Sequence, residues 1–291
     1  MKLNIKHITK YTYTAPVFLN VHQLKLMPKS NYHQHAHSFK LNVKPRPIKN
    51  HVYQCIDESV VHQLFFNTKS TFLTIESESQ VETFDYNPYD YWIYPLQAIK
   101  IPFEYEPSEL LLLEPYLNPI SIDHNVKIFV KETLEKTNHE TIHFLMLLTK
   151  RLQKEFKSEY RVDGAPLLPK VTLSRRAGTC RDKALFAIAA CRMVGLATRF
   201  VSGYLYDTNL SNIQHELHAW FEVFIPGGGW KGFDPTYGIA TNHYYIDVCS
   251  FPSYELCYPL KGSFSGDAES SLSTNVTISP IDQFKLSAET V

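Results

Sequence analysis

Apolar and polar residues alternate through the first third of the chain. Leu3, Ile5, His7, Thr9 and Tyr11 share one parity and alternate with polar partners at Asn4, Lys6 and Lys10. Phe39, Leu41 and Val43 alternate with Lys40, Asn42 and Lys44 until Pro45-Arg46-Pro47 interrupts the run. Residues 60–66 and 71–75 flank the turn-like Asn67-Thr68-Lys69-Ser70. A period of two, punctuated by turn residues, predicts an antiparallel all-β sandwich over residues 1–85. Residues 86–119 read as a connector. Pro88, Pro95, Pro102, Pro107, Pro115 and Pro119 make regular structure hard to sustain there. Tyr89, Tyr91, Trp92 and Tyr94 imply that this connector packs against the rest of the chain.

From residue 120 the period lengthens to that of a helix. Ser121 or Asp123 is placed to cap a helix running to about Lys136. Ile142, Leu145, Leu148, Leu152 and Phe156 step by three and four residues, predicting a second. A third is expected from about Cys180 to Val194, closed by Gly195. Strands return over residues 198–206, 217–225 and 230–234. Helices followed by strands predict an α+β core of helices on an antiparallel sheet, spanning residues 120–265. Residues 266–291, rich in Ser and Thr, read as a partly loose tail.

Composition narrows the function classes. A chain of 291 residues holds two domains of ordinary size. Lys plus Arg equals Asp plus Glu at 29 each, so no global field draws nucleic acid or an acidic membrane surface. Arg175-Arg176 and the basic stretch at 44–49 are read as solvated surface. Cys55, Cys180, Cys191, Cys249 and Cys257 form no CxxC pair, which argues against a disulfide framework or a zinc ribbon. The opening residues lack the apolar stretch of a signal peptide, and no apolar run reaches the length of about 18 residues that suggests a membrane span. The expected setting is the reducing cytoplasm, without membrane or nucleic-acid partners. Oligomeric state is not readable from the sequence.

The chemistry concentrates in three places. Cys180 precedes the almost wholly apolar stretch from Ala184 to Cys191, so a buried helix is expected to begin at its thiol. Unpaired N–H groups at a helix start favour the thiolate, the reactive form. Gly178 permits close backbone approach just before it. A buried structural cysteine is the bland alternative. His218 lies in a strand whose other parity, Leu217, Ala219, Phe221, Val223 and Ile225, is apolar. His218 and Trp220 therefore share the opposite face. Trp220 either walls a cleft or belongs to the core. Pro226-Gly227-Gly228-Gly229 joins this strand to residues 230–234 as a hairpin, putting His218 and Asp234 opposite or diagonal to each other. A lone strand histidine or strand-end aspartate is commonly structural. The three together offer a nucleophile, a base and an orienting carboxylate.

These residues resemble a known family. Gly178-Thr179-Cys180-Arg181-Asp182, His218-Ala219-Trp220 and Gly229-Trp230-Lys231-Gly232-Phe233-Asp234-Pro235-Thr236 look like the three signatures of the transglutaminase-like superfamily, in its bacterial branch. The resemblance covers residues 125–265. His7-Ile8-Thr9-Lys10-Tyr11-Thr12-Tyr13, Ala15-Pro16-Val17 and His22-Gln23-Leu24-Lys25-Leu26 are similar to that branch's N-terminal β domain. It implies a papain-like α+β core behind a β-sandwich, with Cys180 as nucleophile, His218 as base and Asp234 as orienter. The family is similar to cysteine peptidases and amidases, many bacterial members being regarded as proteases, and no calcium or other cofactor is implied. Two positions depart from it: Lys183-Ala184-Leu185 stands where many relatives carry Phe-Ala-His, and the stretch from Asp57 to His62 lacks a Gly-Asn.

The expected activity is attack of Cys180 on a peptide or carboxamide carbonyl, giving a thioester that water hydrolyses more readily than an amine takes it. The substrate is a peptide or protein. Transglutaminase cross-linking, acyl transfer from a thioester cofactor to an arylamine, and a non-catalytic peptide-binding module are the alternatives. Asp182 in the first helical turn either anchors a loop or serves the helix dipole; so close to Cys180 it opposes the thiolate unless paired with Arg181 or another donor. The Cys180 N–H is the candidate oxyanion donor. His33, His35 and His37 share a parity that suits a metal. They also continue into the apolar face of Phe39, Leu41 and Val43, with no Cys or carboxylate beside them.

Overall fold

The computed structural model describes residues 1–206 and 217–281. The chain opens with strands β1 (Lys2–Leu19), β2 (His22–Leu24), β3 (Gln34–Lys44), β4 (Lys49–Gln54), β5 (Val60–Phe65) and β6 (Lys69–Thr83). Next come α1 (Pro107–Leu117), α2 (His124–Glu135), α3 (Thr141–Glu155), β7 (Lys157–Ser158), α4 (Pro169–Arg175), β8 (Ala177–Gly178) and α5 (Cys180–Met193). The remaining strands are β9 (Thr198–Leu205), β10 (Leu217–Ile225), β11 (Gly229–Asp234), β12 (Ile239–Ala240), β13 (Tyr245–Phe251), β14 (Leu260–Lys261), β15 (Phe264–Ser265) and β16 (Ser270–Pro280).

Two antiparallel sheets form the N-terminal sandwich. One runs β15-β1-β6-β3, with β16 also on β1; the other runs β14-β2-β5-β4. Tyr13, Val17, Leu19, Leu24, Val43, Leu64, Leu73 and Ile75 fill the space between them. The alternation legible in the sequence is the alternation of buried and exposed residues along β1.

The segment expected as a loose tail does not trail. Ser270–Pro280 pairs with β1 from Leu3↔Pro280 to Tyr13↔Ser270. The reason is physical: Leu272, Thr274, Val276 and Ile278 keep one parity, and β1 offers an edge whose N–H and C=O groups need partners. The sandwich therefore draws on both ends of the described chain. Residues 282–291 of the expected tail lie outside the described residues.

The connector also corrects an expectation. It carries a helix, α1, in spite of its prolines. Pro107 sits in the first turn, where a missing N–H costs nothing. Tyr105, Leu113 and Ala197 pack together beside Phe224 and Trp230. The Tyr105 hydroxyl accepts from the Ala197 N–H at 2.9 Å and donates to the Phe224 carbonyl at 3.0 Å. The aromatic run before α1 packs on the β10–β11 turn, as its residues imply. A Cβ on Gly228 would lie 2.6 Å from the Tyr91 ring.

The core is a five-stranded antiparallel sheet, β12-β11-β10-β9-β13, with helices on one face. Asp123 caps α2, accepting from the Val126 N–H at 2.9 Å. α3 buries Leu145, Leu148 and Leu152 of the steps read from the sequence, together with Phe144, while Ile142 is half-buried. α5 is buried from Asp182 to Arg192. Beyond the helices the same face meets the sandwich: Tyr204, level with Leu217, and Ile246, level with Tyr204, pack with Val248, Leu3, Ile5, Val81, Val276 and Ile278. Trp220, on the opposite face, is buried against Val201 and Tyr245 although it opposes the apolar parity.

Candidate active site

Cys180 is the first residue of α5, and its position is fixed by the cap. The Thr179 hydroxyl accepts from the Asp182 N–H at 3.4 Å, and Asp182 Oδ2 accepts from the Thr179 N–H at 2.7 Å. This reciprocal pair is a capping box. It leaves the Cys180 N–H among the helix-start donors that have no intrahelical partner.

Asp182 is fully buried. Its oxygens take the Arg161 guanidinium at 2.9 Å and the Leu167 N–H at 2.7 Å. Burial alone would raise its pKa; the Leu167 N–H, Arg161 and the Thr179 N–H reverse that and hold it below the usual carboxylate range. The partner that offsets its charge beside Cys180 is thus Arg161. Arg181 turns instead to the carbonyls of Arg161, Asp163 and Gly164. Gly178 is explained by the same box: a Cβ there would lie 2.9 Å from Asp182 Cβ and 3.3 Å from Thr172 Cγ2.

His218 comes from β10 and Asp234 from the end of β11. The ladder pairs Phe221 with Phe233. One step further puts Trp220 level with Asp234 and leaves His218 on the diagonal. His218 Nε2 meets Asp234 Oδ2 at 2.7 Å. That leaves Nδ1 for the thiol, the His218 side chain being a hydrogen-bond partner of Cys180. Asp234, with no exposed surface, also accepts the Thr236 N–H at 2.7 Å and the Tyr245 hydroxyl at 2.8 Å.

The electrostatics follow. Burial disfavours the thiolate, but hydrogen bonding to His218, its charge and the Ala219 N–H outweigh burial and lower the Cys180 pKa. Burial likewise disfavours imidazolium, yet the Asp234 carboxylate overrides it and raises His218 to about 10. Burial opposes ionisation of Asp234 too, and the His218 charge with the three donors holds its pKa down. Together these shifts favour thiolate, imidazolium and carboxylate in a row.

Trp220 is fully buried and does not wall the cleft. Its ring stands 6.2 Å from that of His218 and 5.3 Å from that of Tyr245, so it backs the histidine. Gly203 makes room for it: a Cβ there would come within 2.7 Å of the indole. In front, Cys180, His218 and Ala219 line a cavity of about 330 Å³.

The three N-terminal histidines do not converge. His33 pairs with Asp247 at 3.0 Å, while His37 pairs with Glu82 at 2.9 Å and stacks edge-on with His35. Sequence reasoning missed two site residues, Tyr245 and Arg161. No short-range spacing marks either one, since each reaches its carboxylate through the fold.

Comparison with known proteins fits this geometry. Residues 3–82 match the bacterial transglutaminase-like N-terminal region, and residues 129–235 match the transglutaminase-like superfamily core. The chain belongs to the transglutaminase-like superfamily. Among its relatives is an uncharacterized protein of Mycobacterium leprae, 25% identical over 95% of this chain and 98% of that one. Another from Mycobacterium tuberculosis is 26% identical over 97% of this chain and 93% of its own length. A solved structure, that of a putative cysteine protease from Cytophaga hutchinsonii, superposes with a TM-score of 0.70 at 20% identity, over 97% of this chain and 91% of that one. The transglutaminase-like core thus holds Cys180, His218 and Asp234 within its matched span, and the fold of the whole described chain is shared.

Proposed function

We propose that this chain is a cysteine-dependent acyl-transfer enzyme acting on a peptide or carboxamide carbonyl, with hydrolysis as its main outcome. One observation carries the reading: a single imidazole, fixed by a buried carboxylate, shares hydrogen bonds with a helix-start thiol that opens on a cavity.

The chemistry follows from the charges. The Cys180 thiolate adds to the carbonyl carbon, forming a C–S bond. The oxyanion so generated faces the Cys180 N–H at the start of α5. Collapse breaks the C–N bond as imidazolium His218 gives its proton to the departing amine. The neutral imidazole then takes a proton from water, whose oxygen attacks the thioester. The acid leaves, and the thiolate and imidazolium are restored. Asp234 keeps the ring oriented throughout. The protease name borne by the Cytophaga hutchinsonii protein, on the same fold, agrees with water as acceptor.

The test combines reactivity with turnover. Iodoacetamide should alkylate Cys180 selectively at a pH well below the thiol reference of about 8.5. A peptide library should leave a thioester on the protein that mass spectrometry detects, and Cys180→Ala should abolish it. Slow, unselective labelling of several cysteines, or amide turnover surviving in Cys180→Ala, would remove the nucleophile and leave a binding module.

A further inference from the structure

Strand β1 is long enough to serve two cores. Near its start Leu3 and Ile5 pack on the catalytic sheet. Near its end Tyr13, Val17 and Leu19 lie inside the sandwich. Between them, on the same parity, stand His7, Thr9 and Tyr11, and all three line the cavity in front of Cys180. β16 runs alongside, pairing Thr274 with Thr9 and Leu272 with Tyr11, and both of its residues line the cavity too.

We propose that these two strands of the N-terminal sandwich form the acyl-side pocket of the cleft, and that it selects an uncharged, apolar residue as acyl donor. This rests on Cys180 being the nucleophile. The group left on Cys180 after the amine departs is the acyl group, so a cavity lined by that thiol is where it sits. At about 330 Å³ the cavity lies at the small end of ligand pockets, suited to one residue and part of its neighbour.

Its chemistry is apolar with a few neutral polar groups. Tyr11, Leu26, Phe200 and Leu272 supply hydrocarbon surface. The polar groups on the sandwich side are His7, the two threonines and the Tyr11 hydroxyl. Burial depresses the His7 pKa to about 4, so the ring is neutral. It is tied to the hydroxyls of Tyr204, Thr9 and Thr274 at 3.0, 3.0 and 3.2 Å. The charges along the other wall are engaged: Arg161 holds Asp182, Arg181 holds backbone carbonyls, and Glu159 pairs with Arg175. Asp163 is exposed to solvent at the rim. A charged side chain entering this pocket would lose its hydration; an anion would find the nearby arginines already paired, and a cation would meet only solvent-exposed Asp163.

The experiment uses the full chain and peptidyl acyloxymethyl ketones that place Phe, Leu, Glu or Lys next to the reactive carbon. Alkylation of Cys180 is followed by intact mass, and each rate is divided by that for iodoacetamide, which reads thiolate reactivity alone. The Phe and Leu probes should exceed Glu and Lys by ~10-fold or more, the scale of a pocket discriminating by apolar contact. Leu272→Trp, which fills the pocket from β16, should cut the normalised Phe rate by about 10-fold. Leu272→Arg should move the preference toward the Glu probe, a gain that misfolding cannot mimic. Equal normalised rates for all four probes, or a profile unchanged in both variants, would overturn the pocket assignment while leaving the nucleophile intact. Failure of iodoacetamide and every probe to reach Cys180 would instead remove the nucleophile, and the pocket with it.

Discussion

Tyr245 and His218 share one oxygen. The Tyr245 hydroxyl donates to Asp234 Oδ2 at 2.8 Å, and His218 Nε2 reaches the same atom at 2.7 Å. Two strands on opposite sides of β9 thus converge on one buried carboxylate. The second hydrogen bond stabilises the ionised form of Asp234, which the imidazolium requires, and stops the carboxylate rotating away.

Tyr245→Phe should therefore lower kcat/KM by about 5–10-fold, as expected for losing one hydrogen bond worth ~1 kcal/mol. Asp234→Asn should be far worse, about 10²–10⁴-fold, because an amide can hold the ring in the wrong tautomer. Steady-state kinetics on an amide substrate compares the two. Similar losses in both variants would mean that Tyr245 does more than support the carboxylate.

The ion pair predicts different pH profiles for two assays. The Cys180 pKa is lowered, so the thiolate persists as pH falls and alkylation declines only below that lowered pKa. His218, raised to about 10, keeps its proton through the neutral range and loses it above that value. Turnover needs this proton for the leaving amine and should fall on the alkaline side, whereas alkylation should not. An alkaline limb in both assays would argue against His218 as the acid.

Gly178→Ala tests the capping box. The new Cβ would stand 2.9 Å from Asp182 Cβ, against a fully buried carboxylate tied to Arg161, the Leu167 N–H and the Thr179 N–H. A loss of about 2 kcal/mol in urea unfolding is expected, the scale of overpacking in a tight site. Thr179→Ala, which removes only the cap acceptor, should cost ~1 kcal/mol. If Gly178→Ala is no worse than Thr179→Ala, the close approach is not what requires glycine.

His7 predicts acid lability. Its folded pKa, about 4, lies below the unfolded value near 6.5. Between these values the unfolded chain binds a proton that the folded chain does not, so stability is lost as pH falls through this window, by up to ~3 kcal/mol. Urea midpoints at pH 7 and pH 4.5, compared between wild type and His7→Gln, isolate the effect. An equal drop in both proteins would show that other groups carry it.

The elements easiest to foresee were those whose burial has a local period. α3 and β10 show their apolar faces in the order of residues, and the helix start at Cys180 is marked by the apolar run beyond it. β13 lacked such a sign. Tyr245–Phe251 is buried throughout, so Asp247 and Ser250 interrupt the apolar run without restoring an alternation. β16 did carry one, in Leu272, Thr274, Val276 and Ile278, masked by the Ser and Thr between them. What no local pattern supplies is partnership across the chain. Tyr245 reaching Asp234, Arg161 reaching Asp182 and β16 reaching β1 are all products of the assembled fold.

The pairing of β1 with β16 sets an order of assembly. The strand made first finds its last neighbour only after some 260 further residues have been synthesised, counting from Tyr13 to Ser270 in the register. Until then the nascent protein has Cys180 and its imidazole in place on the chain but lacks one side of the chamber around them. Ribosome-bound chains stalled before Ser270 should therefore be unfinished as selective catalysts even where the thiol is already reactive.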